Sequence, residues 1–202
     1  MARGTWHVAR GTFRPVRWFR KPPGDPLPVA LAGLKLGDRL LMLGTSDTTL
    51  AAALAVKVGL TGRACLLDES ADRLSAAAAA VEQEGALVES FTAPMSALPF
   101  EANAFDVVIA RNVLAAMPPE GRAAAAAEVT RVVRAGGRCL VIDDLHRGGL
   151  SGLVGSQRGE DGSHGSMAVA LLTAAGFRAV RTLAEREGFV FVEGVKAGHG
   201  TE

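Results

Sequence analysis

Two short stretches of the chain carry side chains that can bind a ligand or move a proton. The stretch Gly44-Thr-Ser-Asp-Thr48 combines a glycine with hydroxyl and carboxyl groups of the kind that cap helices. The stretch Asp143-Asp-Leu-His146 places two carboxyl groups and an imidazole within four positions. Such groups accept protons or ligate metals, but no distant ligand completes a metal-binding set, so we expect no metal site.

The first stretch lies between a predicted strand and a predicted helix. Leu40 to Leu43 is an unbroken apolar run, which is typical of a strand buried on both faces of a parallel sheet. The Ala- and Leu-rich run after Asp47 favours a helix that ends near residue 58. A strand, a glycine turn and a helix N-terminus form a corner of the nucleotide-binding type, since free backbone N–H groups there point toward a ligand.

The second stretch follows the last of five predicted strands that alternate with helices. Alternation of this kind predicts a parallel sheet with helices on both faces. The predicted strands are 39–43, 63–68, 86–91, 105–110 and 138–143, and the predicted helices are 29–36, 47–58, 69–84 and 120–134, with a turn at 135–137.

The alternation ends after Asp144. Residues 145–165 are rich in glycine and poor in large apolar side chains, so they predict a mobile loop. A helix is predicted over 167–175. Strands over 177–183 and 189–195 are close enough in sequence to form an antiparallel hairpin.

Composition is typical of one globular domain. The chain has 202 residues, a hydrophobic share of 49% and a net charge of +1, which does not by itself indicate a nucleic-acid partner. Cys65 and Cys139 lie in apolar runs and are interpreted as core residues of a protein in a reducing compartment. With no signal peptide or membrane-length apolar run, a cytoplasmic protein is expected.

The amino-terminal residues differ from the rest of the chain. Six basic residues between positions 3 and 21 precede the first acid and alternate with two tryptophans and two phenylalanines. Such a segment can bind nucleic acid or an anionic membrane surface. We favour instead a leader, or a segment that packs its aromatic side chains over the domain. The predicted divisions are a basic and Pro-rich segment, 1–28, one domain, 29–196, and a tail, 197–202.

Several short motifs occur in a fixed order. They are Ala97-Leu-Pro-Phe100, Ala104-Phe-Asp-Val-Val-Ile109, Asn112-Val-Leu114, Glu128-Val-Thr-Arg-Val-Val-Arg-Ala-Gly-Gly-Arg138, Leu171-Leu-Thr-Ala-Ala-Gly-Phe177 and Gly188-Phe-Val-Phe191. In this order they resemble the class I S-adenosylmethionine (SAM)-dependent methyltransferases, in particular the type 11 small-molecule branch. The resemblance covers about residues 29–196. It implies a Rossmann-like α/β fold: a doubly wound, mostly parallel seven-stranded sheet, ordered 3-2-1-4-5, with the antiparallel hairpin beyond the fifth strand.

The same resemblance implies a SAM site at the carboxyl ends of the strands. Asp68 corresponds to the carboxylate that accepts hydrogen bonds from both ribose hydroxyls, although it can also serve as a helix cap. Arg111 and Asn112 correspond to residues at the mouth of the cleft, and their alternative roles are a loop arginine and a helix cap. The implied SAM-binding residues are Gly44, Thr45, Ser46, Asp68, Glu69, Met95, Arg111 and Asn112.

The glycine motif at this site departs from the family pattern of acid-x-Gly-x-Gly-x-Gly. The matching positions are Met42-Leu-Gly44-Thr-Ser46-Asp-Thr48, so only the first glycine remains and a methionine replaces the acid. The added Cβ atoms reduce the room for a cofactor. The sequence therefore allows SAM-dependent methyl transfer to a small-molecule acceptor, or a binding or scaffold role for a methyltransferase-fold pseudoenzyme. A third, less favoured function is binding of nucleic acid or a membrane surface through residues 1–21.

Methyl transfer requires mainly positioning of donor and acceptor, and in some cases a base that takes the acceptor's proton. Asp144 and His146, just beyond the fifth strand, are the predicted catalytic residues. Their alternative roles are a turn acid and a solvated loop histidine.

Overall fold

A seven-stranded sheet, in the order β3-β2-β1-β4-β5-β7-β6, forms the centre of the computed structural model, which describes residues 25–145 and 163–198. Strands β1 to β5 are parallel, whereas β7 is antiparallel to both β5 and β6. The predicted α/β fold, strand order and edge hairpin are confirmed. The strands are β1 (Arg39–Leu43), β2 (Arg63–Asp68), β3 (Glu89–Thr92), β4 (Phe105–Arg111), β5 (Val133–Asp144), β6 (Phe177–Arg186) and β7 (Phe189–Lys196). The helices are α1 (Leu27–Ala32), α2 (Thr48–Val58), α3 (Ala71–Gln83), α4 (Val113–Ala116), α5 (Pro119–Val132) and α6 (Ser163–Ala174).

The helices cover both faces of the sheet because successive residues in the middle of the central strands are apolar. Alternate side chains of a strand point to opposite faces. Leu40 and Met42 of β1 therefore pack in a core with α1, α2 and α3. Leu41 and Leu43 pack in a second core with α4, α5 and α6.

The predicted turn at 135–137 is wrong, because these residues lie inside β5. Phe105 pairs with Val133 and Val107 pairs with Arg138, so the extra residues of β5 form an irregularity in a continuous strand. A Cβ added to Gly137 would come within 2.8 Å of the Asp106 carbonyl oxygen. Glycine permits this close approach, and the chain therefore stays beside β4 instead of turning away.

Other predicted boundaries also differ from the structure. Helix α1 covers Leu27–Ala32 instead of 29–36, and β6 ends at Arg186 instead of residue 183. Helix α6 begins at Ser163, four residues before the predicted start at Met167. Its residue Gly165 lies against β7, since a Cβ there would come within 3.1 Å of Val190 Cγ2. Strand β3 begins at Glu89 instead of residue 86, because its pairing with β2 starts where Glu89 meets Cys65.

Several predictions concern residues outside the described ranges. These are the basic segment 1–21, His146, most of the predicted loop 145–165 and the last residues of the tail. Cys65 and Cys139 are both free and buried, as predicted. Among the described residues, no helix has the length and apolar character needed to cross a membrane.

Candidate cofactor site

A cavity of about 390 Å³ opens at the carboxyl ends of β1, β2 and β4. Its volume is in the range of small-molecule and cofactor sites. Seven of the eight residues predicted to bind SAM line this cavity; the eighth, Thr45, lies behind it. The lining residues are Gly44, Ser46, Asp68, Glu69, Arg73, Met95, Arg111, Asn112, Val113, Ala116, Met117 and Pro118.

Gly44 brings the ends of β1 and β4 together at the base of the cavity. Its φ of +81° lies in the left-handed region, which glycine adopts without a Cβ penalty. A Cβ at this position would meet the Arg111 carbonyl oxygen at 2.4 Å and Val113 Cγ2 at 2.8 Å. The one glycine that the family motif retains is therefore required by packing as well as by backbone conformation.

Asp68, at the end of β2, accepts hydrogen bonds from three surrounding residues. Its Oδ2 accepts from the Thr45 N–H at 2.8 Å and from the Thr45 hydroxyl at 2.9 Å. Its Oδ1 accepts from the Ser70 N–H at 2.9 Å. The Arg73 guanidinium completes the set, with Nη2 at 2.6 Å from Oδ1. Ser70 caps α3 by accepting from the Arg73 N–H, so Asp68 is not the cap.

These contacts decide the charge of Asp68. Burial opposes ionisation, but the hydrogen bonds from Arg73, Ser70 and Thr45 outweigh it and lower the pKa of Asp68 to about 2. The carboxylate is therefore ionised at neutral pH and acts only as an acceptor of hydrogen bonds.

The N-terminus of α2 lies beside this carboxylate. Asp47 caps the helix, and its Oδ1 accepts from the Leu50 N–H at 2.9 Å, as predicted for this stretch. Ser46 is exposed and lines the cavity. Met42 belongs to the core against α1 to α3 and is fully buried, so the site has no acid at the family's acidic position.

On the opposite side of the cavity, Arg111 is buried with 7% of its surface exposed. Its Nη2 lies 2.8 Å from Asp144 Oδ1, and its guanidinium stands over the Phe189 ring at 4.7 Å from the centroid. Asn112 donates from Nδ2 to Asp144 Oδ2 at 2.7 Å and accepts from the Asp144 N–H at 2.8 Å. Asp144 thus fixes both residues at the end of β4.

The remaining lining residues form an apolar wall with one acid at its edge. Glu69 is exposed, and its Oε1 accepts from the Met95 N–H at 3.3 Å, which ties the loop after β3 to the end of β2. Met95 itself is 6% exposed. Val113, Ala116 and Met117, on and after the short helix α4, continue the wall.

Sequence reasoning missed Arg73 and the wall beyond Asn112. Arg73 occupies the third position of α3, and its guanidinium reaches back to Asp68, five residues earlier. Asp143, another residue of the predicted proton-accepting stretch, is buried at the end of β5 opposite Val190. The described residues contain no cluster that could hold a metal ion.

Comparison with known proteins agrees with the fold. Residues 40–137 match the family model described as a methyltransferase domain. This segment runs from β1 into β5 and contains every residue predicted to bind the cofactor. The resemblance to class I SAM-dependent methyltransferases is confirmed, and the match supports an enzyme of this class with SAM as the expected cofactor. No curated protein sequence matches the chain.

Solved structures share the fold at low sequence identity. A SAM-dependent methyltransferase from Aquifex aeolicus has a TM-score of 0.66 and 20% identity, over 83% of this chain and 87% of the other. A TehB-like SAM-dependent methyltransferase from Corynebacterium glutamicum has a TM-score of 0.60 and 14% identity, over 84% and 85%. The [4+2]-cyclase SpnF has a TM-score of 0.65 and 19% identity, over 85% and 79%. Because one such neighbour is a cyclase, the fold by itself does not specify the reaction.

SAM fits the chemistry of one end of this cavity better than the other. At the end near Asp68, an ionised carboxylate and the apolar side chain of Met95 suit a ribose and an adenine ring, with Arg73 paired to that carboxylate. At the other end, Ser46 lines the cavity and Met42 is buried in the core, so the ammonium group of SAM finds no carboxylate at position 42.

Proposed function

We propose that this protein transfers a methyl group from SAM to a small-molecule acceptor bound in the same cavity. The observation that carries the proposal is the convergence of seven separately predicted residues on one cavity at the carboxyl ends of adjacent strands. Ligands of open α/β sheets bind in this location, where the crossovers on either side of β1 wind in opposite directions.

In this proposal the chain's own residues hold the two reactants. Asp68 accepts a hydrogen bond from the ribose of SAM, and Met95 packs against its adenine ring. The N–H groups near Ser46 face the methionine part of SAM. Bound SAM supplies an activated methyl group together with its leaving group. The protein therefore contributes chiefly orientation and exclusion of water.

The two predicted catalytic residues, Asp144 and His146, differ in the observations that support them. Both Asp144 carboxylate oxygens have partners in Arg111 and Asn112. These contacts favour a positioning role for Asp144. His146 lies outside the described residues, which leaves it as the proposed proton acceptor on sequence alone.

A small acceptor is favoured by the wall that Val113, Ala116 and Met117 provide next to Asn112. This surface suits an apolar group of limited size. The test is transfer of a tritiated methyl group from SAM into a cell extract, with the label expected in the small-molecule fraction. Label found only in protein or nucleic acid would contradict this choice of acceptor.

Cofactor binding can be tested before any acceptor is known. We expect SAM and its demethylated product to raise the melting temperature, because a ligand that binds only the native state stabilises it. A dissociation constant above about 1 mM for both, equivalent to only about −4 kcal/mol, would contradict the enzyme.

A binding or scaffold role is the second candidate, favoured by the side chains that replace the family's second and third glycines. If the Ser46 Cβ crowds the cofactor, Ser46→Gly should tighten SAM binding by roughly 3- to 10-fold, which is about 1 kcal/mol. Thr49→Gly, at an exposed position in the first turn of α2 and outside this cavity, is the control. Unmeasurable SAM binding in the wild type and in Ser46→Gly would favour the scaffold.

A further inference from the structure

The Arg73 guanidinium covers the carboxylate that is proposed to hold the ribose. Its Nη2 lies 2.6 Å from Asp68 Oδ1, and its Nε lies 3.2 Å from each carboxylate oxygen. The Asp68 side chain is 2% exposed, whereas that of Arg73 is 54% exposed. Both residues line the cavity, so the guanidinium forms its surface at the point where Asp68 would otherwise be reached.

The carboxylate has no acceptor capacity left for a ribose. An ionised carboxylate offers about four lone-pair sites. The Thr45 N–H, the Thr45 hydroxyl and the Ser70 N–H take three of them. The fourth, on Oδ1, is taken by Arg73 Nη2, and Arg73 Nε lies 3.2 Å from each oxygen. A ribose diol brings two further donors, so at least one of its hydroxyls must take the site that the guanidinium occupies.

Only one of the existing donors can leave at low cost. Thr45 is fully buried, and the Ser70 donor is a backbone N–H fixed at the start of α3. Arg73, by contrast, has a long side chain that is more than half exposed, so water can solvate its charge after it moves.

We propose that Arg73 determines the ligand specificity of this site, because its guanidinium occupies the diol position on Asp68 and must leave when a nucleoside binds. The inference rests on the proposed function, since it takes the ligand to be a nucleoside with both ribose hydroxyls. Arg73 then lowers the affinity for every ligand that uses the diol. It leaves unchanged the affinity for a ligand that lacks the diol.

Calorimetry with adenosine and 2′,3′-dideoxyadenosine isolates the diol. Arg73→Ala should bind adenosine about 2- to 5-fold more tightly than the wild type, which is the size expected when an ion pair with a solvent-exposed arginine no longer has to be broken. The dideoxy compound should bind both proteins equally. Arg73→Lys keeps the charge but lacks the planar set of guanidinium donors. Its affinity for adenosine should lie between those of the wild type and Arg73→Ala.

Arg63→Ala is the matched control variant. Arg63 donates two hydrogen bonds to the Glu89 carboxylate, each at 2.7 Å, and both side chains are exposed. Arg63 begins β2, the strand that Asp68 ends, and it does not line the cavity. Its removal should leave adenosine affinity unchanged. Melting temperatures of all variants verify that they are folded.

The outcomes separate the two proposals. Tighter binding of adenosine alone supports the role of Arg73. Unchanged or weaker adenosine binding in Arg73→Ala overturns it, and SAM binding by the wild type would then leave the proposed function standing. If neither protein binds adenosine or SAM, both proposals fall.

Discussion

Two carboxylates at opposite ends of the sheet have nearly the same surroundings. Asp68 ends β2 and is bound by Thr45, Ser70 and Arg73. Asp106 lies near the start of β4 and accepts from the Arg39 N–H at 2.7 Å, from Arg39 Nε at 3.2 Å and from Arg134 Nε. Burial opposes ionisation of both, and their hydrogen bonds outweigh it, so each pKa is lowered to about 2.

The difference between the two carboxylates is what lies beside them. Asp68 borders the cavity, whereas Asp106 does not. Around Asp106 the chain is held by structural contacts, such as those of Lys196, whose Nζ donates to the Thr130 and Val133 carbonyl oxygens at 2.8 Å and 2.7 Å. A low carboxylate pKa and an arginine partner therefore do not identify a ligand site, since the fold uses the same pair for its own stability.

The largest expected effect is a loss of stability when a glycine at either end of the sheet is replaced by alanine. Gly44→Ala should lower the free energy of unfolding by about 3–4 kcal/mol, from the left-handed φ and the clash with the Arg111 carbonyl oxygen. Gly136, at the end of the sheet near Asp106, has a φ of +73°, but an added Cβ there would meet nothing closer than 3.5 Å. Gly136→Ala should therefore cost only about 1–2 kcal/mol.

Urea unfolding measures both losses. Equal losses would show that backbone conformation alone requires Gly44. The close approach of β1 and β4 at the cavity would then make no separate contribution to the free energy of unfolding.

A second prediction tests whether the two carboxylates stabilise the fold equally. Each has a folded pKa of about 2, below the ordinary value of 3.8. Their contribution is thus complete above pH 4 and is lost as the pH falls toward 2. Between pH 6 and pH 2.5 each should account for about 1.5 kcal/mol of lost stability.

Asp68→Asn and Asp106→Asn should each reduce this acid sensitivity by that amount, as measured by urea unfolding at the two pH values. A reduction in only one variant would break the equivalence of the two sites.

Much of the fold could be predicted from sequence because the central strands have no polar alternation. Leu40 to Leu43 can only be buried on both faces, and this fixes β1 at the centre of the sheet. The irregularity in β5 could not be predicted, since Gly136 and Gly137 suit a turn as well as a close approach to β4. The distinction depends on the neighbouring strand.

The candidate site was predictable where a strand end fixes a residue's position. Gly44, Asp68 and Arg111 end or follow neighbouring strands, so the topology brings them together. Arg73 gives no such signal, because its contact with Asp68 depends on how α3 starts and on the path of a flexible side chain. The cavity residues on α4 were missed because this helix has only four residues and gives no clear sequence pattern.

The smallest expected effect separates the two carboxylates by ligand affinity. Asp68→Asn should weaken SAM binding by about 5- to 10-fold, and Asp106→Asn should change it by less than twofold. The expected effect of Asp68→Asn is modest because SAM must displace Arg73 from Asp68 in the wild type. The variant loses the hydrogen bonds to the ribose, but binding no longer requires the Asp68–Arg73 ion pair to break. Calorimetry at pH 7 measures both variants, and their similar loss of stability makes each a control for the other.

The Arg73→Ala background sharpens this difference. Without the guanidinium, the ribose can bond to Asp68 without displacing another donor. In this background Asp68→Asn should weaken SAM binding by about 30-fold or more. A charge-assisted hydrogen bond contributes about 1.5–3 kcal/mol when nothing competes for its acceptor. If Asp68→Asn weakened binding equally with and without Arg73, the two side chains would act independently, and Asp68 would contact the ligand without any displacement of its arginine.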